Sequence, residues 1–531
     1  MPGAQGLQNV RFHGWFRWGK LQNRAIFFGP YMLSEQSLLS KHFEDALMLH
    51  RKGQIEEASF LYAQVLSQDS HHAISQHHLS VLKYEQGDYE AALALQHQLI
   101  ENHPRKAGYL NNRGNTLVRL GQAAKALDDF DQAIHIDPQT AEFRVNRANA
   151  LASLDQYEPA ISDLNQAIDL SPGLGMAYAN RANLFHSTAR HAQALADIEQ
   201  ALSLEPDNPQ FHYNKGNILA TLRRSQEALN HYQRACEIDP AFELAHLKWA
   251  DLLMSMQALP DAVQVLQATL ERLPQSEACL VLLGETHALM GETQVAENYF
   301  HQAKRLNPLD EEVDYYAAAN LGLPPPLQAP VAYVKKLFDG YAPHFESQLQ
   351  QELAYASPEH LRTQWLRHAQ MAKVSALDLG CGTGLVAKSF GPFCSFIDGV
   401  DISAQMIKKS QATSMYRELH LEEVHSFLAR QHQTYDLVVS ADTLVYIGDL
   451  EGLFAGVAKA LNPGGWFCFT VEATSSPRYA LKQSKRFGHA IPYVEQMARQ
   501  SDLQVLAIEG DIIRHEQPLP IKGFNLLLQK I

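Results

Sequence analysis

Seven prolines recur between residues 104 and 308 at a constant spacing of thirty-four residues. An alanine stands twelve residues before each proline, and Ala58 continues this series one period upstream. A fixed period of this length is typical of stacked helical hairpins, in which small residues at one position let neighbouring helices pack closely. The period therefore predicts a repeat protein for this half of the chain. The prolines are Pro104, Pro138, Pro172, Pro206, Pro240, Pro274 and Pro308.

The repeated unit resembles the tetratricopeptide repeat. That family has a small residue, an alanine, an aromatic or aliphatic residue, a second alanine and a proline at fixed positions. The third unit shows this pattern as Gly114, Ala126, Phe130, Ala133 and Pro138. The resemblance extends over eight units and implies an all-α superhelical solenoid with a concave groove. We predict an N-terminal extension over residues 1–37, eight repeats over 38–310, a cap and Pro-rich linker over 311–331, and a second domain over 332–531.

Asparagines recur at two positions of the first helix in four successive units. A spacing of three residues places both positions on one helix face. In tetratricopeptide proteins this face lines the groove, so the resemblance implies that these side chains bind the backbone of an extended protein or peptide partner. The amide side chain offers both a donor and an acceptor, as a peptide bond does. The alternative is a solvated helix face without a ligand. The residues are Asn112, Asn115, Asn146, Asn149, Asn180, Asn183, Asn214 and Asn217.

After the Pro-rich segment LPPPLQAP, short apolar segments alternate with helical ones, which predicts a doubly wound α/β sheet of Rossmann-like type. The chain is thus expected to be multidomain, with an all-α solenoid followed by an α/β domain. The predicted buried strands are SALDLG (375–380), FIDGVDI (396–402), YDLVVSA (435–441), GWFCFTVE (465–472) and FNLLLQKI (524–531).

The stretch LDLGCGTG, residues 377–384, places three glycines directly after the first predicted strand. Bare main chain at a strand-to-helix turn lets a ligand approach the backbone closely. Asp401 follows twenty-one residues after Gly380, a spacing that suits a carboxylate binding a ribose diol. A dinucleotide fold requires the pattern GxGxxG, but Leu385 stands where its third glycine would fall, and the third glycine is Gly384.

The pattern GxGxG with the preceding Asp378 resembles the class I S-adenosylmethionine-dependent methyltransferases. The resemblance covers residues 332–531, and the whole layout resembles the group of predicted methyltransferases that contain tetratricopeptide repeats. It implies S-adenosyl-L-methionine as cofactor, with Asp378 near the amino group, Asp401 at the ribose and Glu423 near adenine. The segment LFDGYAPHFE, residues 337–346, resembles one whose aromatic residues, here including Phe345, close over the cofactor. The candidate cofactor-binding residues are Phe338, Tyr341, Asp378, Gly380, Cys381, Gly382, Gly384, Asp401, Ile402 and Glu423.

Methyl transfer requires alignment of the acceptor, and it requires a base only if the acceptor must lose a proton. Candidates for that base follow the fourth predicted strand and lie in RFGHAIPYV: Asp442, Tyr446, His489 and Tyr493. His489 is preferred because imidazole titrates near neutrality, although a packed or helix-capping histidine is an equal alternative. The sequence SADT at residues 440–443 differs from the NPPY-like box of enzymes that methylate planar amines.

Composition narrows the classes of partner. Asp and Glu outnumber Lys and Arg by 58 to 44, which disfavours a nonspecific nucleic-acid binder. The five cysteines form no CxxC pair, so we expect no metal site and a reducing, cytoplasmic location. No apolar run reaches the roughly eighteen residues of a membrane span, so no membrane partner is expected. The basic N-terminus superficially resembles an organellar transit peptide, but we favour a disordered extension or a start at Met32.

Three functions are compatible with these features. The first is a methyltransferase whose solenoid recruits a protein or peptide to the catalytic domain. The second is a small-molecule methyltransferase whose repeats serve assembly or localisation. The third is a scaffold that retains a cofactor-binding fold, which the combination of Asp378, the glycine turn and Asp401 disfavours. The methyl acceptor is not specified by any of these patterns.

Overall fold

The computed structural model describes residues 35–342, 355–369, 373–516 and 519–531. Phe345 and nearly all of the predicted N-terminal extension lie outside this part of the chain. The described residues fall into two compact units, one ending at Ile238 and the other running over Asp239–Ile531. The boundary between the units thus lies inside the repeat array.

The first unit consists of helices that follow the repeat period, two to each repeat. The buried alanines Ala92, Ala126 and Ala160 have no exposed surface, which allows the close helix packing that the period predicts. Gly114 serves the same purpose, because a Cβ there would lie 2.6 Å from Phe130 Cε1. The helices are α1 (Glu35–Arg51), α2 (Ile55–Gln68), α3 (Ala73–Glu85), α4 (Tyr89–Asn102), α5 (Ala107–Arg119), α6 (Ala123–Ile136), α7 (Ala141–Ser153), α8 (Tyr157–Leu170), α9 (Gly175–Ser187), α10 (His191–Leu204), α11 (Pro209–Thr221) and α12 (Ser225–Ile238).

The second unit begins with the remaining repeat helices and a cap helix. A further helix, α18, precedes the α/β domain. Between α17 and α18 the Pro-rich segment is hydrogen-bonded at two residues to the stretch 446–449 of the α/β domain. Leu327 O accepts from Gly448 N and Asp449 N at 2.8 Å, and Ala329 N donates to Tyr446 O at 2.8 Å. The helices are α13 (Glu243–Ser255), α14 (Leu259–Arg272), α15 (Glu277–Leu289), α16 (Thr293–Leu306), α17 (Glu311–Leu321) and α18 (Val331–Tyr341).

The α/β domain is built on one mostly parallel sheet in the order β3-β2-β1-β4-β5-β7-β6. Strand β9 pairs antiparallel with β5, and β8 pairs antiparallel with β9. Strand β9 pairs with one edge of β5 as far as Glu472. On the other edge, β4 pairs with β5 as far as Phe469, and β7 pairs with Glu472 and Ala473 beyond it. The strands are β1 (Val374–Leu379), β2 (Cys394–Asp401), β3 (Glu418–Leu421), β4 (Tyr435–Ser440), β5 (Leu461–Ala473), β6 (Tyr479–Leu481), β7 (Phe487–His489), β8 (Leu503–Glu516) and β9 (Leu519–Lys530).

Helices cover both faces of this sheet, which is why its parallel strands are nearly continuous apolar runs. Val438 faces a core that includes Phe454, whereas Leu437 and Val439 face another that includes Trp365. The Rossmann-like prediction is confirmed. No helix within the described residues combines the length and apolar character that crossing a membrane requires. The helices are α19 (Ser357–Leu366), α20 (Leu385–Phe390), α21 (Ala404–Thr413), α22 (Val424–Arg430), α23 (Glu451–Ala460) and α24 (Ile491–Gln500).

Candidate active site

The glycine-rich turn lies between the end of β1 and the start of α20. Gly380, Gly382 and Gly384 have φ angles of 75°, 54° and 97°, in the left-handed region that glycine adopts without strain. The turn is tied to the neighbouring strand, because Gly380 N and Cys381 N donate to Val400 O at 2.9 and 3.0 Å. The side chain of Cys381 is buried. In this turn the residue contributes the main-chain N–H that bonds Val400 O.

Asp378 is fully buried at the carboxyl end of β1. Its Oδ2 accepts a hydrogen bond from the Tyr416 hydroxyl at 2.7 Å, whereas its Oδ1 has no hydrogen-bond partner among the described residues. Burial raises the pKa of Asp378 to about 7, against the opposing effect of the bond from Tyr416. An unpaired buried carboxylate oxygen costs free energy unless a ligand donor meets it.

Asp401 ends β2 beside the same turn. Its Oδ2 accepts from Gly382 N at 2.9 Å and its Oδ1 from Ser403 N at 2.8 Å, while Ile402 next to it is half-buried. Burial raises the pKa of the Asp401 carboxyl, although these two main-chain bonds oppose the shift. The geometry places two buried acids, Asp378 and Asp401, on adjacent strand ends around one glycine turn.

Helix α18 is fixed to this region through Asp339. Its Oδ1 accepts from Ser403 Oγ at 2.6 Å, and Ser403 caps α21 directly after β2. Phe338 packs edge-on against Tyr446, with ring centroids 5.4 Å apart. Tyr341, the last residue of the helix, is half-buried. The described part of the segment predicted to close over a cofactor, residues 337–342, is therefore hydrogen-bonded to the residues that follow Asp401.

Glu423 lies between β3 and α22 and caps that helix. Its Oε2 accepts from Ser426 N at 2.8 Å, and its Oε1 pairs with His425 Nδ1 at 2.9 Å. Burial opposes ionisation of Glu423, but the bonds from His425 and the main chain outweigh it and lower the pKa to about 2. The side chain is thus an ionised acceptor at neutral pH. Its predicted role beside adenine remains a prediction.

The loop after β4 is bonded to the end of β1. Ser440 Oγ and Thr443 Oγ1 both donate to Leu379 O at 3.0 Å. A Cβ on Gly380 would lie only 2.2 Å from Thr443 Oγ1, so glycine is required for this close approach. These contacts bring the loop that carries Asp442 next to the glycine turn.

Asp442 belongs to a network of buried charges. The residue has a left-handed φ of 60°, and its N–H donates to Thr470 Oγ1 at 2.8 Å. Arg514 on β8 donates to Asp442 Oδ1 at 2.7 Å and also pairs with Glu472 at the end of β5. Side-chain exposure is 19% for Asp442 but 1% for Arg514 and Glu472, so Asp442 is the more accessible carboxylate.

His489, on β7, is fully buried. Its Nε2 lies 2.9 Å from Ile447 O and 3.2 Å from Gly448 O, while no residue that the structure describes bonds its Nδ1. Burial lowers the pKa of His489 to about 4, so the imidazole is neutral at physiological pH. Tyr446 is buried against Phe338, and the Tyr493 hydroxyl accepts from Leu450 N at 2.9 Å.

The asparagines of the repeats are half-buried, except for Asn214, which is buried. Asn180 Nδ2 donates to Asn149 Oδ1 at 2.9 Å, and Asn146 Nδ2 donates to Asn111 Oδ1 at 2.8 Å, so contacts link neighbouring repeats. In the unit after these, Asn217 Oδ1 accepts from a tyrosine hydroxyl at 2.8 Å. Asn112, Asn115 and Asn183 share this face by their helical spacing.

Sequence reasoning missed several residues of the site. Asp339 lies inside the segment LFDGYAPHFE, which was interpreted through its aromatic residues only. Tyr416, Glu472 and Arg514 carry no local motif, and Tyr416 and Arg514 are brought to the site by strands or loops that were not predicted. Within the described residues, no group of three or more His, Cys, Asp or Glu side chains is placed to hold a metal ion.

A parallel sheet with a glycine turn after β1 and an acid at the end of β2, preceded by a helical-repeat solenoid, defines a two-part protein with a Rossmann-like domain. Comparison with known families agrees. Residues 377–467 match the family described as a methyltransferase domain, and residues 79–140, 111–174 and 180–241 match the tetratricopeptide repeat. The chain thus carries tetratricopeptide repeats followed by a methyltransferase domain, which confirms the predicted resemblance.

Among characterised relatives, the chain is similar to a ubiquinone biosynthesis O-methyltransferase of Burkholderia orbicola (strain MC0-3). The two are 28% identical over 115 residues, which is 21% of this chain and 50% of the relative. A protein of the same name from Albidiferax ferrireducens is 25% identical over 130 residues, again 50% of its length. The chain therefore spans about half the length of the curated relatives it matches.

Solved structures similar to the chain include repeat proteins. One is YrrB, described as a TPR protein with an unusual peptide-binding site, at 24% identity and a TM-score of 0.30, covering 35% of this chain and 96% of that one. Another is a tetratricopeptide repeat protein from Parabacteroides merdae, at 21% identity and a TM-score of 0.38, covering 41% and 84%.

Proposed function

We propose that this chain is an S-adenosylmethionine-dependent methyltransferase whose repeats recruit a protein or peptide partner to the catalytic domain. The observation that carries the proposal is the fully buried Oδ1 of Asp378, which has no partner in the described part of the chain, beside a turn of three left-handed glycines. A buried oxygen of this kind is explained by a ligand that brings a hydrogen-bond donor.

The residues fit S-adenosylmethionine by their chemistry. Asp378 offers a carboxylate to an ammonium group, and Asp401 offers a second carboxylate, one strand away, to the two hydroxyls of a ribose. The glycine turn offers main chain without Cβ atoms between them. When bound, this cofactor supplies a methyl carbon activated by the adjacent sulfonium.

On the acceptor side, the most suitable base is Asp442. Its carboxylate is partly exposed, and Arg514 holds it in one orientation next to the glycine turn. His489 is the less suitable base because its ring is fully buried and its pKa is lowered to about 4. A positioned carboxylate can accept the proton that a hydroxyl or amine loses on methylation. Alignment of the acceptor supplies the rest of the acceleration.

The asparagine face supports the recruitment of a polypeptide. Its side-chain amides act both as donors and as acceptors, as in the pair Asn180 and Asn149 from neighbouring repeats. Such a row complements the donors and acceptors of an extended backbone. Replacing Asn149 and Asn183 together by alanine is expected to weaken capture of that partner without changing cofactor binding.

Two measurements test the proposal. Calorimetry with S-adenosylmethionine on the whole chain is expected to give one site, and absence of binding would overturn both the cofactor and the activity. Transfer of labelled methyl groups into a cell lysate, separated into macromolecular and small-molecule fractions, is expected to label the macromolecular fraction. The Asn149 and Asn183 double variant is expected to lower that labelling.

A second candidate is methylation of a small molecule, with the repeats serving assembly or localisation. It is favoured by the similarity to relatives named as O-methyltransferases. Label confined to the small-molecule fraction, and unchanged in the asparagine double variant, would support this candidate instead.

A further inference from the structure

The eighth repeat carries Glu285 at the position that asparagine occupies in four earlier repeats, two periods after Asn217. Its carboxylate is nearly buried and accepts from Lys485 Nζ at 2.7 Å, with Asn320 Nδ2 at 3.3 Å as a second donor. Lys485 belongs to the turn between β6 and β7 in the α/β domain. The position that carries asparagine in the earlier repeats thus binds a lysine of the chain's own α/β domain.

Lys485 is held at three points. Besides the ion pair with Glu285, its Nζ lies 4.6 Å from the centroid of the Tyr316 ring, and its carbonyl oxygen accepts from the Tyr315 hydroxyl at 2.7 Å. Its φ of 61° is a left-handed conformation that costs free energy outside glycine. Phe487, two residues on, packs in the same apolar cluster as Tyr315. The turn is therefore fixed by α15 and α17 of the repeat half.

The hairpin needs such support because its strands are only three residues long. A two-stranded hairpin of this size is marginally stable by itself. The hairpin joins the main sheet through the pairing of β7 with Glu472 and Ala473 of β5. Lys482 adds a side-chain contact at the same place, because its Nζ donates to Glu472 Oε2 at 2.7 Å. Gly488 permits this contact, since a Cβ there would lie 2.9 Å from Lys482 Cε.

Glu472 connects the hairpin to the candidate base. Its other carboxylate oxygen pairs with Arg514, which in turn donates to Asp442 Oδ1 at 2.7 Å. The pair of Glu285 and Lys485 is therefore connected to this network through the turn of the hairpin, where Lys485 N donates to Lys482 O at 2.8 Å. Although burial opposes ionisation of Glu472, the positive charges of Arg514, Lys482 and Arg486 lower the pKa of this carboxyl. Displacement of Lys482 therefore removes a hydrogen-bonded positive charge from a buried carboxylate.

We propose that Lys485 and Glu285 are positioning residues for methyl transfer, by which the last repeat holds the hairpin that keeps Lys482 on Glu472 and thereby orients Asp442. The inference rests on the proposed methyltransferase function. It makes the end of the repeat array a structural part of the acceptor side, in addition to any role in recruiting a partner.

The test compares Lys485→Met, Lys485→Arg and the charge exchange of Glu285→Lys with Lys485→Glu in the full chain. We expect Lys485→Met to lower methyl-transfer turnover at saturating S-adenosylmethionine by at least about tenfold, because an uncompensated charge network misplaces the base. The dissociation constant for the cofactor is expected to stay unchanged. Lys485→Arg and the charge exchange are expected to restore turnover to within about threefold of the wild type.

Lys304→Met is the matched control, since it removes the ion pair with Asp314 on α17 without touching the hairpin. Its turnover is expected to equal that of the wild type. Equal turnover in the wild type and in Lys485→Met would overturn this inference but leave the proposed function intact. The same holds if Lys485→Met weakens cofactor binding as much as it lowers turnover, or if Lys304→Met loses as much turnover. A wild-type chain that binds the cofactor but methylates nothing would overturn the proposed function, and this inference with it.

Discussion

The raised pKa of Asp378 makes cofactor binding depend on pH in a defined direction. With a pKa of about 7 in the ligand-free chain, this carboxyl is mostly protonated below neutrality. An ammonium group requires the ionised form, so affinity for S-adenosylmethionine is expected to fall as the pH falls through 7. At pH 6 about one chain in eleven carries the ionised form, which corresponds to a loss of affinity of about tenfold relative to the plateau.

At alkaline pH the affinity is limited by the ionisation of the ligand itself. An α-amino group has a pKa of about 7.7 to 8.0, so the ammonium form declines above that range. The affinity is therefore expected to pass through a maximum between about pH 7 and 8. Binding at pH 6.5 is expected to release protons from Asp378, which calorimetry detects by repeating the titration in buffers of different ionisation enthalpy.

Asp378→Asn provides the decisive variant. It removes the titrating group, so the fall in affinity below pH 7, which we call the acid limb of the affinity profile, is expected to disappear. The affinity itself is expected to be lower at every pH. In the ligand-free chain the same change is expected to raise the melting temperature at pH 8, because a buried ionised carboxylate is replaced by a neutral amide. Asp436→Asn, at the amino end of β4, is the control, because hydrogen bonds lower the pKa of Asp436 despite partial burial. A wild-type affinity that stays constant between pH 6 and 7.5 would refute the assignment.

Three further outcomes follow from the same geometry. Tyr416→Phe removes a bond that favours the ionised carboxylate, so the acid limb is expected to move to higher pH in the same calorimetric series. Asp401→Ala is expected to weaken cofactor binding by about 1 to 3 kcal/mol through unmet ribose hydroxyls, and wild-type affinity would contradict its placement in the site. Gly380→Ala is expected to destabilise the chain by about 1 to 3 kcal/mol in urea unfolding, because its Cβ would overlap Thr443 Oγ1 at a left-handed φ. Gly391→Ala, where a Cβ meets no atom within 4 Å, serves as its control.

The strands that sequence patterns predicted are those buried on both faces. Continuous apolar runs identified β1, β2, β4 and β5, and the final run identified β9. The structure adds two strands, β3 (ELHL) and β8. Strand β8 contains the polar residues Glu509 and Asp511, and among the described strands it pairs with β9 alone. Such strands mix exposed and buried residues and therefore leave no apolar run. The hairpin of β6 and β7 is too short to give a signal.

The residues of the candidate site also divide into those that the sequence could predict and those that it could not. Residues next to the glycine turn could be predicted because they lie in or beside one motif, as Asp378 and Asp401 do. Tyr416 and Arg514 could not, since each contacts the site across a large sequence separation and only the folded sheet brings it there. A buried arginine between two carboxylates is a property of packing, and a single arginine in a sequence carries no such information.

The repeat array shows how departures from a pattern can locate contacts within a chain. The two repeated positions of the first helix hold asparagine through the unit of Asn217. They then change to Lys248 with Asp251, and to Leu282 with Glu285. Lys248 Nζ lies 3.8 Å from Asp251 Oδ2, and Glu285 pairs with Lys485. In these last two units neither position carries an amide side chain, which offers both a donor and an acceptor, so they are less suited to bind a peptide backbone. The predicted contacts with a recruited polypeptide are therefore expected in the four asparagine-bearing units, where alanine substitutions should have their largest effect.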